Sequence, residues 1–144
     1  MSFGSAAPRP VRRVDASAPC PCGSGESFGG CCRPVMQEQQ APSAERLMRS
    51  RYTAFVIGNA EYLAQSWHPR TRPDDIEIDP DLRWTGLEVV DAEAGGEDDV
   101  TGVVEFRAAW EQGAGAESIV GVLHERSRFA RVRGRWYYLD GDVG

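Results

Sequence analysis

The chain has 144 residues, with 16 basic and 22 acidic side chains and a formal charge of −6 at neutral pH. At about 100–200 residues per domain, this length holds one domain and a small appendage, and 41% apolar content suffices for a single packed core. The acidic balance argues against a protein that coats duplex DNA, because that binding rests on basic patches that displace counterions. All 16 basic residues are arginine, which removes lysine Schiff-base chemistry and a lysine phosphate clamp.

Residues 1–18 are rich in Ser, Ala, Pro and Arg and read as a flexible N-terminal tail. Arg9, Arg12 and Arg13 could form an arm for an acidic partner, although a solvated linker is the plainer reading. No apolar run there matches a secretory signal, and no stretch approaches the roughly 18–20 apolar residues of a membrane span. The expectation is a cytoplasmic protein. In a reducing compartment, cysteines clustered between Cys20 and Cys32 point to metal rather than disulfides.

Residues 19–36 form a glycine- and cysteine-dense knot with no helix or strand period. One residue separates Cys20 from Cys22, and Cys31 adjoins Cys32. The intervening Gly23, Gly25, Gly29 and Gly30 let the backbone turn tightly enough for the two pairs to face each other. Four thiolates at about 2.3 Å suit tetrahedral zinc, whereas a disulfide between adjacent cysteines is strained. Generic zinc ribbons have wider spacing within each pair, so spacing alone leaves the metal reading open. A closed set of four cysteines keeps no open coordination position, so the expected role of Zn2+ is structural.

From residue 40 to 144 the pattern is that of an α+β domain, helices first. Ser43 caps a helix from Ala44, with Glu45 in its first turn and Leu47, Met48, Tyr52, Phe55 and Val56 at helical spacing. Gly58 closes it, Asn59 caps a second helix to about Trp67, and Pro69 stops that one. Residues 74–99 hold eleven acids against one arginine and include a strand over Trp84–Val90 and a turn at Gly95-Gly96. Strands follow over Val100–Trp110, over Ser118–Val132 (long enough to carry a bulge) and, after the Arg133-Gly134 turn, over Arg135–Leu139.

Three stretches carry a resemblance. CPCGSGESFGGCC resembles the SEC-C motif, a zinc knuckle found at the C-terminus of the SecA translocation ATPase, with Cys20, Cys22, Cys31 and Cys32 at its ligand positions and Phe28 at its aromatic. The lysines that usually flank that aromatic are replaced here by Glu26, Ser27, Gly29 and Gly30, which weakens any phosphate, lipid or RNA contact. AERLMRSRYTAFVIGNAEYLAQSWHPRTRP and HERSRFARVRGRWYYLDGD resemble the signature segments of the YchJ-like family, which joins a SEC-C motif to an NTF2-like domain. The resemblance spans about residues 19–142. It implies an NTF2-like cone, with helices packed across a curved antiparallel sheet and a pocket between them.

Fold alone names no chemistry. Tyr52 lies on the apolar helical face and reads as a core tyrosine or a proton donor. His68 stands at a helix end and suits either a terminus hydrogen bond or a general base. Arg72 could hold an anion or pair with Asp74 or Asp75. Glu105 and Arg107 share a strand face, either inside the cone or on a solvated outer surface, whereas His124 and Glu125 must face opposite ways. The arginines at 126, 128, 131, 133 and 135 alternate with aromatics and could stack bases, but pairing with the acidic segment is the simpler use. Two functions follow. One is a non-catalytic interaction or ligand-binding module, its knuckle docking a protein partner and its sheet offering a pocket or homodimer face. The other is a small-molecule enzyme using His68 or Glu105 as base, with Tyr52 or Arg107 assisting. Metal removal is expected to unfold the knuckle and spare a domain with its own core.

Overall fold

The computed structural model describes residues 11–113 and 115–144. Three helices, α1 (Cys32–Glu38), α2 (Ala44–Ile57) and α3 (Ala60–Gln65), precede four strands, β1 (Leu82–Ala94), β2 (Thr101–Gln112), β3 (Ile119–Val132) and β4 (Arg135–Val143). The strands form one antiparallel sheet in the order β1-β2-β3-β4.

Local chemistry sets the helix ends. The Ser43 hydroxyl accepts the Arg46 N–H at 3.2 Å and starts α2, which Gly58 ends with φ +81°. Asn59 Oδ1 accepts the Tyr62 N–H at 3.0 Å and starts α3. That helix stops at Gln65, short of the expected Trp67, because β4 takes over its backbone. Tyr138 N–H donates to Ser66 O at 2.9 Å, and His68 N–H donates to Tyr138 O at 2.8 Å. Helix α1 is absent from the sequence expectation because only Val35 and Met36 carry an apolar signal in a turn interrupted by Pro34. Pro34 is tolerated there because the first-turn N–H groups have no intrahelical partner.

β1 and β4 outrun their expected bounds. Cross-strand ladders carry them through residues with little strand propensity, such as the Asp140 and Asp142 paired with Arg128 and Arg126. The irregularity expected in β3 appears as a register shift between Arg128 and Phe129 against β4. Residues alternate across β2: Gly102, Val104 and Ala108 are buried beneath the helices, while Arg107 is exposed on the far face.

The core forms where α2 crosses the sheet, with Leu47 and Met48 against Val104, Phe129 and Trp136, and Val35 of α1 joins it. Each fully buried side chain of this size contributes about 1.5–3 kcal/mol. The start of α2 lies so close to the sheet that Ala44 N–H donates to Gly95 O at 3.0 Å. A Cβ on Gly102 would collide with the Gly95 backbone and the Ala44 side chain, so this contact requires glycine.

Residues 11–18 do not hang free as a tail would. Arg12 N–H donates to Ile57 O, Phe28 N–H to Ala18 O and Gly29 N–H to Ala16 O, each at 2.8 Å. Arg9 and the rest of residues 1–10 lie outside the described residues. Among the described residues, no helix is long and apolar enough to cross a membrane.

Candidate metal centre and cavity

The four cysteine sulfurs come from a tight loop and the entry to α1. Gly23, with φ +75°, turns the chain after Cys22, and the Cys20 N–H closes the loop onto Glu26 O at 2.9 Å. A 3-10 turn over Phe28–Gly30, capped by the Ser27 hydroxyl, then delivers Cys31 and Cys32. All four Sγ atoms lie within 4.8 Å of one another, and all four residues are buried. The Cys22 and Cys31 sulfurs are 3.6 Å apart, too far for a bond and close to the roughly 3.8 Å edge of a zinc tetrathiolate.

Surrounding groups orient the sulfurs. The Thr53 hydroxyl donates to Cys32 Sγ at 3.3 Å and lies 3.9 Å from Cys20 Sγ. The Ser24 hydroxyl is 3.2 Å from Cys31 Sγ, and Arg49 Nη1 donates to Cys22 O at 3.1 Å. Hydrogen bonds from Cys20 and Cys32 hold the Cys22 thiol well below its ordinary acidity range. The bonds to Cys20 and Cys22, with burial, push Cys32 far up. Crowded sulfurs alone thus favour unequal protonation, and a divalent cation is what would stabilise all four as thiolates.

A second feature lies on the other flank of α2. A cavity of about 220 Å³ opens between that helix, the segment after α3 and the inner face of the sheet. Tyr52 lines it, edge-on to Trp84 with ring centroids 6.3 Å apart, and burial raises the pKa of its hydroxyl. Three polar residues in this wall stand outside the sequence candidates: Arg51, Ser127 and Tyr138. Arg51 is only 6% exposed. Its guanidinium lies over the Trp67 ring at 5.0 Å and the Tyr138 ring at 4.6 Å. Its Nη1 donates to Leu63 O at 2.8 Å and to the Ser66 hydroxyl at 2.6 Å. Burial lowers its pKa to about 10, which still leaves it cationic at neutral pH. Glu125 Oε2 accepts the Ser127 hydroxyl at 2.6 Å and the Tyr138 hydroxyl at 3.0 Å. Burial first, then the Glu125 charge, keeps Tyr138 protonated well above the usual phenol range. The signal for Arg51 was available in the sequence: it shares the apolar stripe of Met48, Tyr52 and Phe55, where a charge is out of place.

The structure does not gather the other candidates at this cavity. Glu105 lies on the outer face, 2.6 Å from His124 Nε2 and 3.0 Å from Arg126 Nη1. Arg107 is also outside, 3.6 Å from Glu88. His68 borders a separate hollow with Arg133 and Arg135, and its Nδ1 accepts the Arg70 N–H at 3.0 Å, a terminus role rather than a base poised on a cavity. Arg72 donates to Trp67 O at 2.8 Å. His124 and Glu125 take opposite faces, as the strand period predicts. In the arginine ladder, Arg126 pairs with Asp91, Glu93 and Glu105, and Arg128 with Asp140 and Asp142. Arg131 lies over the Trp136 ring at 5.4 Å.

Residues 43–141 match the family described as YchJ, middle NTF2-like domain. A UPF0225 protein of Streptomyces coelicolor is 52% identical over 125 residues, covering 86% of this chain and 94% of that protein. A UPF0225 protein of Chromobacterium violaceum is 47% identical over 136 residues, covering 91% and 97%. Among solved structures, a SEC-C motif containing protein from Rhodopseudomonas palustris superposes with a TM-score of 0.72 at 33% identity, over 87% of this chain and 98% of that one. Another, from Psychrobacter arcticus, gives 0.69 at 28% identity, over 90% and 85%. A helix-on-sheet domain of this kind, entered through a four-cysteine knuckle, places the chain in the YchJ-like, UPF0225 family.

Proposed function

We propose that this is a zinc-binding, non-catalytic module of the cytoplasm, in which a structural zinc knuckle fixes the N-terminal segment and the cavity receives a small ligand. The observation that carries the reading is the closed set of four buried sulfurs, Cys20, Cys22, Cys31 and Cys32. With four protein ligands there is no position for a reacting water, so the metal would organise structure rather than react. Among the described residues that line the cavity, the carboxylate is Glu125, which two hydroxyls hold, and neither His68 nor His124 is present. The Glu105–His124 pair faces away from the cavity, which removes the support for Glu105 as a base. Cobalt(II) substitution tests the metal reading. Intense thiolate-to-metal bands with a tetrahedral ligand-field spectrum support it, and a weak octahedral spectrum contradicts it.

Two surfaces complete the proposal. The loop Ser24–Glu26 is exposed at the tip of the knuckle and is the face that would dock a protein partner. A second copy of this chain would pair along β3, where Ile119, Val120 and Val122 are exposed and β4 pairs only from Glu125 onward. Sedimentation equilibrium of Val122→Glu checks the second: a dimer that dissociates supports it, and a wild-type monomer at all concentrations sinks it. Nucleic acid is not the partner favoured, since Arg126 and Arg128 are already paired with carboxylates.

A further inference from the structure

We propose that the cavity selects a small apolar monocarboxylate, its anionic group held by the free edge of Arg51 and its apolar body lying against Phe106, Leu123 and Phe129. This rests on the reading of the cavity as a ligand site and goes further by naming the ligand chemistry.

The walls are largely hydrocarbon and aromatic, and the space of about 220 Å³ suits a compact organic molecule. Set into that wall is a cation that is 6% exposed and, among the described residues, has no carboxylate within 4.0 Å. A buried charge without a direct counterion is costly, and the two aromatic rings on Arg51, with the charge of Glu125 elsewhere in the cavity wall, offset only part of that cost. Its Nη1 is used on Leu63 O and the Ser66 hydroxyl, while Nε and Nη2 make no hydrogen bond to the described residues. A guanidinium edge with two unused parallel donors matches a carboxylate bidentately. Trp67 Nε1, in a ring that Arg51 stacks on, is a buried donor without a partner.

Glu125 limits the charge of the guest. It sits in the same cavity with Oε2 fixed by Ser127 and Tyr138. It lies so close over Gly141 that a Cβ there would strike the carboxylate. A fixed negative charge on one wall tolerates one anionic group beside Arg51 but repels a second, so dicarboxylates and phosphate esters are disfavoured.

Titrating the zinc-loaded full chain with benzoate, benzamide and phthalate, followed by the fluorescence of Trp67 and Trp84 in the cavity wall, tests this. Benzoate is expected to bind at least tenfold more tightly than benzamide or phthalate. Arg51→Met should erase the preference for benzoate over benzamide, while Arg51→Lys, which keeps the charge, should retain part of it. Equal binding of benzoate and benzamide to the wild type overturns the carboxylate inference and leaves the ligand-site reading intact. Tighter binding of phthalate than benzoate overturns the monoanion limit. Failure of all three probes to bind overturns both the inference and the ligand-site reading.

Discussion

The two flanks of α2 carry opposite kinds of polar chemistry. Thr53 and Arg49 face a cluster of sulfurs that is buried, closed and supplied with hydrogen bonds. Arg51 and Tyr52, interleaved with them on the same helix, face an open space that leaves polar capacity unused. A saturated site suits a permanent guest, and an unsaturated one suits a guest that comes and goes. The same difference separates the two faces of the sheet. The Arg128–Asp142 ion pair and the Glu105–His124 hydrogen bond satisfy their polar groups on the outside, while the charges inside sit among aromatic rings.

The largest effect is expected from disrupting the proposed metal site. The knuckle does not have a core apart from the domain, because Cys20, Cys22, Cys31 and Cys32 share a buried cluster with Tyr52 and Ala108, packed by Trp84, Leu87 and Leu123. Structural zinc in small modules supplies roughly 10–16 kcal/mol, so Cys22→Ser should abolish cooperative melting of the whole chain by circular dichroism. A variant that still melts as a single unit near the wild-type temperature would return the knuckle to the separate status that the sequence suggests.

Next in size is Phe129→Ala, which empties a fully buried position between the core and the cavity. Chemical denaturation should record a loss of about 3–5 kcal/mol. Thr53→Val keeps the shape and removes the hydroxyl donor, and should weaken zinc about 10–100-fold against a chromophoric chelator. An unchanged affinity would mean that the hydroxyl does not help to orient Cys32. Ser43→Ala, which removes the α2 cap, should cost about 1 kcal/mol in the same denaturation assay. Smallest is Glu105→Gln on the outer face. It should shift stability by less than about 1 kcal/mol and leave ligand titrations unchanged, whereas a loss of ligand binding would place Glu105 in the machinery after all.

How much of this was legible varies with the range of the interactions involved. The α2 caps, Ser43 and Gly58, and the Asn59 start of α3 are local hydrogen-bond and φ requirements, so the sequence displays them directly. The cysteine cluster is legible because four thiols crowd into one short glycine-rich stretch that resembles the SEC-C motif. The full lengths of β1 and β4 are not, since their acidic ends are held by partners such as Arg126 and Arg128 far along the chain. The cavity was hardest to read. Period 2 correctly separates Glu125 from His124, but which face is the inside depends on where α2 and α3 land. Arg51 is marked in the sequence as a charge in an apolar stripe, but what it faces, and the role of Tyr138 beside it, emerge only once the loop at Ser66 and strand β4 bond to each other. Glu105 and Arg107 illustrate the same limit, because a strand pattern pairs them on one face without saying which.

Native mass spectrometry of protein purified without added metal decides whether one closed tetrathiolate zinc site anchors the fold. One zinc ion per chain is expected, with all four cysteines resisting alkylation until a chelator is added. Metal-free, folded protein with Cys20, Cys22, Cys31 and Cys32 freely alkylated or joined in disulfides would contradict it.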